Sequence, residues 1–182
     1  MIDKGLPTFR AFVPKQAVGA SLVYFDLFNA AGTGFDVLVQ SVIPIVSGAV
    51  AVTGVVGVDL LLTRTTAVGT GGTAATAEGT ALDALTISSM SKGPGTIPAG
   101  LTARLTPTGG ATAGAVLSWG CVFTEETNDA PYHAHLIDLV RRRMPDVPAV
   151  EVVQDSGIRV VQGSVASVGN IGFDVIFQLR AR

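Results

Sequence analysis

Along most of the chain apolar and polar residues alternate with a period of two, the signature of strands that bury one face. The pattern is clearest over 171–180. Ile171, Phe173, Val175, Phe177 and Leu179 share one face there, and Gly172, Asp174, Ile176, Gln178 and Arg180 the other. The same alternation predicts strands at 21–28 (Val23, Phe25 and Leu27 together), 35–46 (Phe35, Val37 and Val39 together) and 50–65 (Val58, Leu60 and Leu62 together). At 115–124 it groups Leu117, Trp119, Cys121 and Phe123 on one face, with Trp119 pointing inward. Shorter apolar runs at 85–89, 101–105, 150–153 and 158–162 bring the total to about eight or nine strands.

Four stretches depart from this rhythm. Residues 1–19 mix Pro, Lys and Gly with an apolar patch from Phe9 to Val13, and read as an N-terminal arm or edge strand. Residues 69–80 and 106–114 are Thr/Gly/Ala-rich, look alike, and read as two long loops. Over 131–144 the period becomes helical: Pro131 suits a first turn, Tyr132, Leu136, Leu139 and Val140 share a stripe, and Pro145 ends it. Arg141, Arg142 and Arg143 fall at the C-terminal end of that segment, where cations favour the helix dipole. The expected fold class is therefore all-β: an antiparallel two-sheet β-sandwich, a jelly roll, with one short helical insertion at 131–144. Residues 20–182 form its single domain.

Composition supports this reading. Of 182 residues, 48% are apolar and only 14% charged, against roughly 25% charged in an ordinary soluble domain. Val and Thr fit a pleated sheet, and 22 Gly and 9 Pro supply turns. With few charges available, Thr, Ser, Gly and Ala form much of the exterior, a surface easily desolvated against a neighbour. Ile176 is an example: it lies on the outward face of the last strand and calls for cover. The stretch Ser41 to Leu62 is apolar enough to span a bilayer, but it contains Pro44, Gly48, Gly54, Gly57 and Asp59. These favour two buried strands joined by a turn at Ser47 and Gly48 over a membrane helix. A net charge of −2 draws the chain neither to nucleic acid nor to an anionic membrane. The first residues lack the apolar core of a signal peptide, and the single Cys121 forms no intrachain disulfide. Assembly in a reducing, cytoplasm-like space is expected.

The search for chemistry yields little. His133 and His135, two apart, face away from each other on a helix and lack a completing carboxylate or thiol on a strand, so no metal site is expected. Gly69 to Ala74 loosely resembles a phosphate loop, but Thr and Gly continue where a helix would have to begin. Glu125 and Glu126 end a strand on opposite faces and do not make a catalytic pair. No Gly-x-Ser-x-Gly elbow occurs. Neither catalytic residues nor a cofactor are expected.

The run Asp155 to Ser164 followed by Val168 to Phe177 places a turn Gly, a short strand, a Gln-Gly break and a long alternating strand in succession. In that pattern, and in the style of Leu117 to Glu126, the chain resembles small virion proteins of tailed phages. The likeness covers 35–126 and 150–180. It implies a jelly-roll-like sandwich that decorates or cements a capsid, meeting the major capsid protein and itself as a homotrimer or homodimer. It also implies a place on the virion surface after assembly in the host cytoplasm. Residues 128–148 look like an elaboration. Candidate partner contacts are Phe9, Arg10 and Phe12 in the N-terminal segment, and Arg141, Arg142 and Arg143. The alternatives are another virion position in tail, collar or connector, or a carbohydrate-binding sandwich.

Overall fold

Alternation places Val, Ile, Leu and Phe on one side of each strand, and two such surfaces face each other across one shared core. The computed structural model describes residues 3, 5–47, 56–77, 83–90, 96–108, 113–124, 137–141 and 147–182. In chain order the strands are β1 (Thr8–Ala17), β2 (Val23–Asn29), β3 (Phe35–Ser47), β4 (Val56–Thr65), β5 (Thr73–Ala74) and β6 (Thr76–Ala77). There follow β7 (Thr86–Ser89), β8 (Leu101–Leu105), β9 (Ala113–Thr124), β10 (Val150–Val152), β11 (Ser156–Gln162) and β12 (Asn170–Ala181). One six-stranded sheet, called A, has the order β10-β3-β12-β1-β7-β6, and the other, B, the order β5-β8-β2-β11-β4-β9. Pairing is antiparallel except between the very short β6 and β7. The chain is thus a β-sandwich.

The last strand lies between the first and third, and the next-to-last between the second and fourth. This nesting gives the closing strand its role. β12 pairs with β3 from Asn170 to Ala181 and with β1 from Thr8 to Ala17. Its inward side chains Ile171, Phe173, Val175 and Phe177 are fully buried. They meet Phe25, Leu27, Leu60, Leu62, Ile158 and Val160 from sheet B in one continuous core. The ring of Phe173 packs 5.4 Å from that of Tyr24, joining the sheets, and Tyr24 donates its hydroxyl hydrogen to Gln162 beneath them.

The N-terminal segment departs from expectation. Thr8–Ala17 is neither a free arm nor an edge: β12 pairs along one side and β7 along the other. Phe9, Ala11 and Val13 alternate inward into the core, which explains why a short apolar patch precedes the first Gly-rich turn. Ser41 to Leu62 supplies two strands, as its glycines and proline suggest, but β3 and β4 belong to opposite sheets. Among the described residues no helix is long and apolar enough to cross a membrane.

Two short devices close the open sides of the sandwich. On one side β5 joins sheet B through β8, and β6, after the single residue Ala75, joins sheet A through β7. The first Thr/Gly loop is therefore a corner strand that switches sheets. On the other side Leu139 is fully buried, and its N–H donates to Val42 O at 2.9 Å. Here the expected helix fails where it is described. Residues 137–141 form a turn, and 131–136 with 142–144 lie outside the described residues. Asp138 Oδ1 accepts from the N–H groups of Val42, Val140 and Arg141, while its Oδ2 accepts from Ser41. A carboxylate that collects these amides replaces the carbonyls of a continuing helix.

Candidate functional site

Three surfaces carry the candidate residues. The first is the outer face of sheet A. Arg10, on β1, is exposed and pairs with Asp174 on β12 at 2.6 Å. Its guanidinium lies 5.9 Å from the centre of the Phe12 ring. Cross-strand register sets Ile176 between Arg10 and Ser41, and Asp174 between Phe12 and Ile43. Ile45 is exposed beyond them. Arg10 and Phe12 thus sit together on a face whose other outward residues include Ile43, Ile45 and Ile176. Ile176 itself is half-buried.

Phe9 does not belong to that surface. It alternates inward, is 8% exposed and stacks on Phe177 at 5.5 Å. Arg141 lies at the margin of sheet A, where Nε donates to Gln40 O at 2.8 Å and a terminal nitrogen to Gln40 Oε1 at 3.0 Å. Gln40 in turn donates to Gln178, and Gln178 donates to Thr8 Oγ1 and Asp3 O. This polar chain runs from β3 through β12 to β1 and holds Asp3 in place. Arg141 is therefore built into the fold. Arg142, Arg143, His133, His135, Glu125 and Glu126 lie outside the described residues.

The second surface is the outer face of sheet B around Asp26. Register aligns Arg104, Asp26, Arg159 and Thr63 in one row across β8, β2, β11 and β4. Arg159 Nε donates to Thr63 Oγ1 at 3.3 Å. Asp26 is only 3% exposed, because the Thr/Gly loop after β4 lies over it. Gly69 N–H donates to Asp26 Oδ2 at 2.7 Å, and Oδ1 is buried without a hydrogen-bond partner among the described residues. The glycines of this loop serve packing. Gly72 has φ +62°, and a Cβ there would collide with Leu105 O, while Thr108 N–H donates to Thr70 O at 3.0 Å. Residues 70–72 are thus laid against 105–108, and the amide that a phosphate loop would offer to a ligand is given to an internal carboxylate.

Burial pushes the Asp26 carboxyl above the ordinary range, against the pull of the Gly69 amide and of the Arg104 and Arg159 charges. Such an acid holds its proton more tightly folded than unfolded. Its contribution is therefore full below the unfolded value and is lost as pH rises from about 4 toward the folded value. Asp26→Asn removes that loss. In urea titrations at a series of pH values, the variant should gain stability relative to the parent as pH rises above about 4. A difference independent of pH would contradict this role.

The third surface is β9. The expectation that Trp119 points inward is overturned: it is 61% exposed, and Val116 is 55% exposed. One feature brings Val116 beside Trp119, and another lets the small face of the strand point inward. The register with β4 shifts, so that Ser118 faces Leu62 but Val116 faces Thr63. Leu117 is the extra residue of this bulge, and it places Val116 and Trp119 on the same outer face although they are three apart. Inside, the space in front of Gly120 is filled by Ile137 and Leu139, whose methyls lie 3.1 and 3.2 Å from where a Cβ would sit. No large side chain fits there, and Val122 takes the next inward position. Cys121, half-buried on the outer face across from Asp59, has its thiol pushed up by burial and by that carboxylate. It is poorly suited to act as a nucleophile.

Among the described residues no group of three or more His, Cys, Asp or Glu is placed to hold a metal ion. No known protein family, curated protein or solved structure matches the chain.

Proposed function

We propose that the chain is a non-enzymatic structural subunit of a virion, a decoration or cement protein of a tailed-phage capsid. It would stabilise the head by contacts with the major capsid protein and with itself. The observation that supports this best is an outward apolar patch on each sheet. Sheet A presents Phe12, Ile43, Ile45 and Ile176 beside the Arg10–Asp174 ion pair, with Arg180 paired to Asp36 and Glu151 farther along β12. Sheet B presents Val116 and Trp119 apart from the row of Arg104, Asp26 and Arg159. Apolar side chains left outward on both sheets suit a protein that is covered on more than one side. The resemblance of 155–177 to small virion proteins points the same way. The test is mechanical: particles made without the protein should rupture at a lower temperature than complete ones, and adding it back should restore the difference. Equal rupture temperatures would remove the cementing role.

One observation favours a second reading. An exposed Trp on a sheet face is the group that stacks on sugar rings, so a carbohydrate-binding sandwich gains support from Trp119. Saturable binding on a glycan array, abolished by Trp119→Ala, would establish it.

A further inference from the structure

We infer that the loop at 66–72 is a proton-controlled cover over Asp26, closed on the neutral carboxyl and lifted when that carboxyl is ionised. Asp26 lies on an interior strand of sheet B and points to the outer face, yet it is only 3% exposed. A thin strip of chain shuts it off from water. Within 66–72 only Gly69 is buried and Val68 half-buried, while the other residues are exposed. Gly69 lies so close that a Cβ there would collide with Asp26 Oδ2 and with Pro107. A strip with so little apolar burial belongs to the low-stability end of a fold, where local opening precedes global unfolding.

Hydrogen bonds hold the strip down, and two of them come from the charged row beneath it. Gly69 N–H donates to Asp26 Oδ2 at 2.7 Å, and Arg104 Nη1 donates to Gly71 O at 3.0 Å. Beside them Thr108 N–H donates to Thr70 O at 3.0 Å. The closed cover leaves one need unmet. Asp26 Oδ1 is buried without a hydrogen-bond partner among the described residues. A neutral carboxyl bears that at far lower cost than an ionised one, which loses hydration on a charged oxygen. Arg104, the neighbour of Asp26 on β8, is meanwhile held to the loop. Lifting the loop brings water to Oδ1 and releases Arg104 to turn to the carboxylate. The row thus has two arrangements, and one proton biases the choice between them.

The direction follows from the groups around Asp26. Arg104 faces it from β8 and Arg159 from β11, β4 contributes the uncharged Thr63, and residues 66–72 and 105–108 hold nothing that titrates. Both arginines favour the ionised form whether the loop is closed or open. Burial separates the two arrangements, and it pushes the covered carboxyl up. Closure is therefore fully supported below the ordinary carboxyl value of about 4, and it loses support as pH rises through the covered value. Linkage to one proton changes the opening constant by at most about tenfold per pH unit. The cover is shut in acid and freer toward neutrality. This switch is a property of the isolated chain and does not rest on the virion reading.

Native-state hydrogen exchange on the full chain tests the switch, with protection taken relative to the intrinsic exchange rate at each pH. The decisive reporter is Thr108 N–H, because its acceptor is a loop carbonyl and not the carboxylate. Its protection should fall several-fold between about pH 4 and about pH 7, and it should be insensitive to low urea, the mark of a local opening. Amides of β11, paired on both sides, should instead lose protection as urea is added. In Asp26→Asn, which has no proton to lose, Thr108 should keep one protection at every pH. A protection of Thr108 that does not change with pH in the parent would overturn the inference. So would an equal fall in Asp26→Asn, or a fall that follows urea in step with β11.

Discussion

Phe173→Ala is expected to destabilise the protein by about 3–5 kcal/mol, the range for deleting a large aromatic side chain from a close-packed core. Phe173 is fully buried in the first half of β12, and its ring meets Tyr24 from the facing sheet. Its removal opens a cavity where the two sheets touch, and strands fixed by ladders on both sides relax little to fill it. Since a domain is stable by only about 5–15 kcal/mol, the variant should unfold at a much lower urea concentration with the same m-value. A loss below about 1 kcal/mol would mean that the two sheets do not close on each other as described.

Deleting residues 1–17 should have a still larger effect. A free arm could be removed with little consequence for the fold. Here the deletion takes Phe9, Ala11 and Val13 from the core and unpairs one side of both β12 and β7. Burying a Phe or Val side chain contributes about 1.5–3 kcal/mol each, so the loss of Phe9 and Val13 alone reaches the lower end of a domain's stability, and the broken ladders add to it. The truncated chain should lack a cooperative thermal transition. A cooperative transition near that of the full chain would return this segment to the status of an arm.

The strands whose inward residues alternate without interruption were legible in the sequence. β12 is the clearest case, with Ile171, Phe173, Val175 and Phe177 all inward, and the first half of β3 and β4 follow the same rule. On β2 Phe25 and Leu27 point inward as expected, but a bulge at Tyr24 puts Tyr24 in the core in place of Val23. Alternation alone told neither where an extra residue intervenes nor which face of a strand turns inward. On β9 residues 118–124 alternate without interruption, but Ser118, Gly120 and Val122 take the core side instead of Trp119, Cys121 and Phe123, and the bulge at Leu117 turns only Val116 outward. The deciding contact is non-local: Ile137 and Leu139 occupy the space before Gly120. The same segment misled the helical reading. Leu139 and Val140 are both buried although adjacent, because the turn tied by Asp138 docks against β3 and closes the side of the sandwich.

The candidate contacts divide in the same way. Arg10 and Phe12 emerged as an outward pair once β1 was placed in the sheet, since residues two apart share a face. Phe9 alternates with them into the core. Arg141 is engaged by Gln40, a partner far away in sequence that no spacing rule connects to it. Trp119 was missed because its apolar neighbours at 117, 121 and 123 made the strand look like core. The one available signal was that the opposite face, Ser118, Gly120 and Val122, is built of small residues that another segment could cover.

The measurement that bears most directly on the central proposal is the copy number of this chain in purified particles, by quantitative mass spectrometry against the major capsid protein. A structural subunit of the capsid should be recovered in a fixed, near-integral ratio per capsomer that survives repeated purification. Absence from particles, or trace amounts that wash away, would contradict the proposal.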